Sequence, residues 1–112
     1  MMPDGAKIKV IMKRIDSVPY TTFISPTLKN MQKLVDGYIA YWYPFEGRNI
    51  VVVCNEEGYI RNMPINCYIG EQLFYGDIFL TGINRDGELE DIDMKIKELK
   101  QLAPEMWEVE HD

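Results

Sequence analysis

Asn49-Ile50-Val51-Val52-Val53-Cys54 is apolar almost from end to end. A run of that length with no alternating polar position reads as a central strand with apolar layers against both of its faces. Everything else in the chain has to supply those two layers. On its N-terminal side, Tyr38-Ile39-Ala40-Tyr41-Trp42-Tyr43 reads as a neighbouring strand, closed by Pro44 and a loop that contains Gly47. On its C-terminal side, Asn55-Glu56-Glu57-Gly58 is turn chemistry, and Tyr59-Ile60-Arg61 continues briefly beyond it.

Farther out, Lys7-Ile8-Lys9-Val10-Ile11-Met12-Lys13 alternates basic and apolar side chains, the period of two of a strand, and points Ile8, Val10 and Met12 inward. Tyr20-Thr21-Thr22-Phe23-Ile24 pairs with it as a hairpin, through the turn Asp16-Ser17-Val18-Pro19. Ser25-Pro26 opens a helix over about 26–35, on the three-to-four spacing of Leu28, Met31, Leu34 and Val35, with Gly37 as a left-handed cap. Asp77-Ile78-Phe79-Leu80-Thr81-Gly82-Ile83 is the last clear strand. Pro64 argues against a central strand over 63–68, which reads as a loop or a short helical turn. From about Leu89 the spacing of Ile92, Ile96, Leu99 and Leu102 is helical, and Pro104 ends that element.

These readings give an α+β fold: a small antiparallel or mixed sheet of about five strands packed by one helix, with a C-terminal acidic amphipathic helix. At 112 residues the expectation is one domain, with an α+β core over 6–84, a helix over 88–103 and an acidic tail over 104–112. The chain starts with no charged leader followed by an apolar stretch, and no apolar run is long enough to span a bilayer. The reading is therefore a cytoplasmic protein that does not engage a membrane. Cys54 and Cys67 both sit in apolar strand-like contexts, and a reducing compartment disfavours joining them.

The net charge of −6 is not evenly spread, because residues 86–112 carry ten acids against three lysines. Such a surface repels phosphates and argues against direct nucleic-acid binding. Glu90, Asp91 and Asp93 lie in this acidic segment, whose acids either imitate a phosphate array toward a basic protein partner or form the solvated face of the helix. Catalytic chemistry is hard to find. The one histidine, His111, is the penultimate residue; the two cysteines lack the paired spacing of a zinc site; and Gly70, Gly76 and Gly82 lack the lysine of a phosphate loop. Glu56 and Glu57, adjacent in a turn, diverge rather than converge on a proton. In the aromatic run 38–45, Tyr41 and Tyr43 read as core, and Trp42 lies on the face that becomes a protein-contact surface if no helix covers it.

Leu34-Val35-Asp36-Gly37-Tyr38-Ile39, Val53-Cys54-Asn55-Glu56-Glu57-Gly58, Met63-Pro64-Ile65-Asn66 and Gly76-Asp77-Ile78-Phe79-Leu80-Thr81-Gly82 together resemble an uncharacterised family, a domain of unknown function met in short proteins of phages and mobile elements. Members carry a "GGYIE" segment after the first helix, a "CNEEG" turn, a proline followed closely by asparagine, and a glycine-bounded apolar strand. The resemblance covers about 7–83. Asp36 replaces the first glycine, Ala40 the acidic residue, and Cys67 the arginine after the asparagine.

The resemblance implies a context, the short accessory proteins of phages and mobile elements that often block host immunity, and the expectation drawn from it is a non-enzymatic, cofactor-free inhibitor of host bacterial defence that binds a defence protein such as a CRISPR nuclease stoichiometrically, in the manner of an anti-CRISPR. It places partner or ligand contacts at Asn55, Glu56 and Asn66, unless the two asparagines only bond their local backbone. Trp42, Glu90, Asp91 and Asp93 are the further contacts of a protein partner. An alternative is a homo-oligomeric sponge for a nucleotide immune signal, with Arg61 and Arg48 as the phosphate-binding cations. A third is a structural or housekeeping protein of a mobile element.

Overall fold

The central run does form a buried strand. The computed structural model describes residues 6–108. In chain order these form β1 (Ile8–Lys13), β2 (Tyr20–Ile24), α1 (Leu28–Val35), β3 (Ile39–Trp42), β4 (Ile50–Asn55), β5 (Ile65–Ile69), β6 (Gln72–Tyr75), β7 (Ile78–Ile83), β8 (Leu89–Glu90), α2 (Ile96–Leu102) and a 3-10 helix, Pro104–Trp107. The main sheet runs β2-β1-β7-β4-β3, with β8 also paired to β7, while β5 and β6 form a separate hairpin. Every pairing is antiparallel.

Successive side chains of a strand point to opposite faces, and β4 divides accordingly. Val51 and Val53 join Ile8, Val10, Met12, Phe79, Met31 and Val35 beneath α1. Ile50 and Val52 join Ile11, Ile78, Leu80, Cys67, Ile69, Phe74, Leu99 and Met106 on the other face. The second layer is thus built by the β5–β6 hairpin, α2 and the 3-10 helix. Because both faces are covered, all six residues of β7 are buried and β1 buries Ile11 as well as the alternating set.

The architecture is α+β, with eight strands where about five were expected. The segment 63–68 is a strand from Ile65 rather than a loop or helical turn, since Pro64 stands just ahead of the ladder and takes no donor from it. The C-terminal helix is also shorter than 88–103. Ile92 and Met94 are buried while Asp91, Asp93 and Lys95 are exposed, an extended period of two that carries the chain along β1 before α2 begins at Ile96. Ile92 N–H donates to Lys9 O at 2.9 Å there. Pro104–Trp107 is not a loose tail: Met106 is fully buried against the second layer. His111 lies outside the described residues.

The start of α1 is set by Thr27, not Ser25, whose hydroxyl accepts from Asn30 N–H at 3.2 Å. Its end is set by Asp36, which takes the left-handed conformation expected of Gly37. The residues Tyr59–Arg61 form a turn with no strand character. Tyr41 and Tyr43, read as core, are exposed, because β3 is an edge strand and α1 does not reach over its outer side.

Candidate functional site

The C-terminal end of α1 presents carbonyl groups with no partner inside the helix, and the chain resolves them with one asparagine. Asn55, buried at the end of β4, donates from Nδ2 to Val35 O and Asp36 O, both at 3.0 Å. Its Oδ1 accepts from Glu57 N–H at 2.7 Å. One side chain therefore ties the helix end to the turn after β4. Glu56 N–H donates to Tyr38 O at 2.8 Å, which brings the 34–39 and 53–58 stretches side by side.

Arg61 closes the corner. Its guanidinium donates to Asp36 O and lies 3.6 Å from the Asp36 carboxylate. Gly37 sits between these groups with φ +151°, and a Cβ there would come within 2.7 Å of Asn55 Nδ2 and 2.8 Å of Arg61 Nη1. Glycine is required at this position by space as well as by conformation. Gln32, Gly37, Tyr38, Glu57 and Arg61 line a shallow cleft of about 240 Å³. Beside it, on the turn that Asn55 and Arg61 hold, Tyr59 is 76 % and Ile60 80 % exposed, the highest values among the exposed large hydrophobics of the described residues.

The other residues singled out in the sequence stand elsewhere. Glu56 is exposed at the corner, but Asn66 is buried in β5 against the end of β1 and the turn that precedes β7. Its Nδ2 donates to Lys13 O at 2.8 Å and Gly76 O at 2.7 Å, and its Oδ1 accepts no hydrogen bond from the described residues. Trp42 lies on the open edge of the main sheet, paired in register with Val52. Glu90 ends β8, and Asp91 and Asp93 lie in the extended stretch after it, so these acids do not form a helix face. With Arg48, Arg85 and neighbouring backbone they line a second cavity of about 410 Å³. Asp91 Oδ1 there accepts from Lys9 N–H at 2.8 Å, and Arg48 donates to Glu98 Oε2 at 2.6 Å.

Two features escape the sequence reading. Lys13 is entirely buried, with Nζ donating to Arg14 O at 2.7 Å. Burial lowers its pKa against the opposing pull of Cys67, Asp16 and Asp77. The strand alternation that exposes Lys7 places Lys13 on the same side as Ile11, where the second layer, built in part by the unforeseen β5–β6 hairpin, covers it. The other is the Tyr59-Ile60 pair; two large apolar residues directly after a Glu-Glu-Gly turn were the available signal. Burial pushes the Cys54 and Cys67 thiols up to about 11, so neither is a ready nucleophile. Among the described residues no group of three or more His, Cys, Asp or Glu is placed to hold a metal ion, and no helix is long and apolar enough to cross a membrane.

A family model described as a domain of unknown function, DUF3846, matches residues 8–103. The match runs past 83, where the resemblance ended, and takes in α2. No curated protein and no solved structure matches the chain.

Proposed function

The chain belongs to the DUF3846 family, a family of domains of unknown function, and on that premise we propose that it is a non-enzymatic protein that binds a protein partner stoichiometrically at the corner formed by α1 and the 56–63 turn. The observation that carries this reading is the exposure of Tyr59 and Ile60 on a turn fixed by Asn55, Gly37 and Arg61. Large apolar side chains held outward on a rigid support lose little conformational freedom when a partner covers them. Tyrosine is moreover enriched among residues that dominate binding energy.

The partner class we favour is a host defence protein that handles nucleic acid. Such proteins present basic grooves to phosphates, and a chain with a net charge of −6 is attracted to a basic surface over several ångströms of solvent. The protein would then act in the host cytoplasm as an inhibitor carried by a phage or mobile element. The nucleotide-sponge alternative has less support in the geometry. Arg61 is engaged by Asp36 and Arg48 by Glu98, so a phosphate would have to displace a carboxylate to reach either cation.

The test is a phage or plasmid challenge of a host with an active nuclease-based defence, comparing the chain with Ile60→Asp and Tyr59→Ala. Both positions are exposed, so both variants should keep the parent's thermal stability. Loss of protection in both supports the reading. Full protection by both variants would remove the corner as the site of action.

A further inference from the structure

The open edge of the main sheet is the strongest feature left unused by that corner, and the inference from it does not depend on the proposed function. From Tyr38 to Tyr43 the chain carries no charged residue, and Tyr38, Tyr41, Trp42 and Tyr43 are 64 %, 39 %, 46 % and 61 % exposed. Exposed edges are ordinarily protected by short length, charge, proline or a bulge, since their free N–H and C=O groups template pairing with another strand. Here β3 is four residues long and Pro44 stands just beyond it, but no charged side chain lies along the edge. The opposite edge, β2, has Thr21 and Thr22 at its centre, side chains that water wets readily.

We propose that a second copy of this chain covers the β3 edge, forming a two-fold antiparallel β3–β3 pair that joins the two main sheets into one. The register of β3 on β4 favours this pairing. Glu56 N–H donates to Tyr38 O, and Ala40 and Trp42 lie opposite Cys54 and Val52. In an antiparallel ladder hydrogen-bonded positions alternate along the strand, so Tyr38, Ala40 and Trp42 turn their backbone groups toward β4. Ile39 and Tyr41 turn theirs outward, and the same alternation carried one residue past β3 does so for Tyr43.

A two-fold pair centred on Tyr41 then sets Tyr41 against Tyr41 of the second copy and Ile39 against its Tyr43, all through outward-facing backbone groups. Between these, at the close-approach positions where side chains come nearest, Ala40 falls opposite Trp42. The smallest side chain of the strand meets the largest. Moving the centre to Trp42 would instead force two indoles together at such a position. Charge also favours a self-pair: molecules carrying −6 each repel one another over most of their surface, yet meet here along a strand with no charge. Aromatic cross-strand pairs of this kind are among the more stabilising contacts a sheet makes.

The experiment uses the full chain. Sedimentation velocity over a dilution series should give a dimer for the parent, and Tyr41→Lys, which opposes two ammonium groups on the two-fold axis, should weaken it by about tenfold or more. Tyr41→Cys should form an intermolecular disulfide under mild oxidation, because directly opposed residues place their Cα atoms within disulfide reach. Ala40→Cys, which faces Trp42 rather than itself, should not. A monomeric parent at all concentrations, with no Tyr41→Cys cross-link, would overturn the proposal and leave the edge to a different protein. A dimer that survives Tyr41→Lys unchanged would overturn it equally.

Discussion

At the scale of single residues, the asparagine of the "CNEEG" turn is legible as a position and not as a role. The sequence marks Asn55 as polar and turn-borne, but its side chain faces inward and spends three hydrogen bonds on backbone groups of α1 and the turn. Asn55→Ala would strand those groups in a buried corner and should cost about 2 kcal/mol, read as a lower urea midpoint with an unchanged slope. Asn66 likewise faces inward, tying β5 to the end of β1 and to the turn that precedes β7. The thiols add a pH dependence. Cys54 and Cys67 have folded pKa values raised by burial from 9.0 to about 11. The unfolded chain therefore ionises first, so stability from this source is intact below pH 9 and declines as pH rises toward 11. Thermal unfolding followed from pH 7 to 11 in reductant should show a plateau and then a fall, whereas serine at both positions should flatten the upper limb.

At the scale of elements, the strands that read clearly were those with a plain pattern: alternation in 7–13, and unbroken apolar runs over 49–54 and 77–83. β5 and β6 did not, because Pro64 masks the start of one and glycines at 70 and 76 frame the other too tightly to show a period. The C-terminal segment departs from its helical spacing for a different physical reason. Ile92 and Ile96 satisfy a helical spacing, while Ile92 and Met94 satisfy an extended one; contact with β1 decides between them, and that contact is invisible in a single segment. The corrected assignment has a direct consequence. Met106→Ala should cost about 3 kcal/mol by leaving a cavity beneath the hairpin, measured by denaturant unfolding, whereas a loose tail would tolerate it without change. Thr27→Ala should cost about 1 kcal/mol through loss of the α1 cap.

At the scale of the whole molecule, the chain places most of its apolar residues in two layers about one sheet, and among the exposed ones left outside those layers are the Tyr59-Ile60 turn and the β3 edge. Lys13 shows how complete the second layer is. It holds a charge-bearing side chain wholly out of solvent, and Lys13→Met should raise the thermal midpoint by removing the cost of desolvating that group. The motif residues Asn55 and Gly37 build the support, and the exposed Tyr59 and Ile60 beside it are the proposed partner contacts. Native mass spectrometry of the parent and of Ile60→Asp, each purified from a host with active defence systems, tests this most directly. The account predicts a stoichiometric protein adduct on the parent that is absent from the variant. A bound mass of nucleotide size on both, or a protein adduct that Ile60→Asp leaves intact, would contradict it.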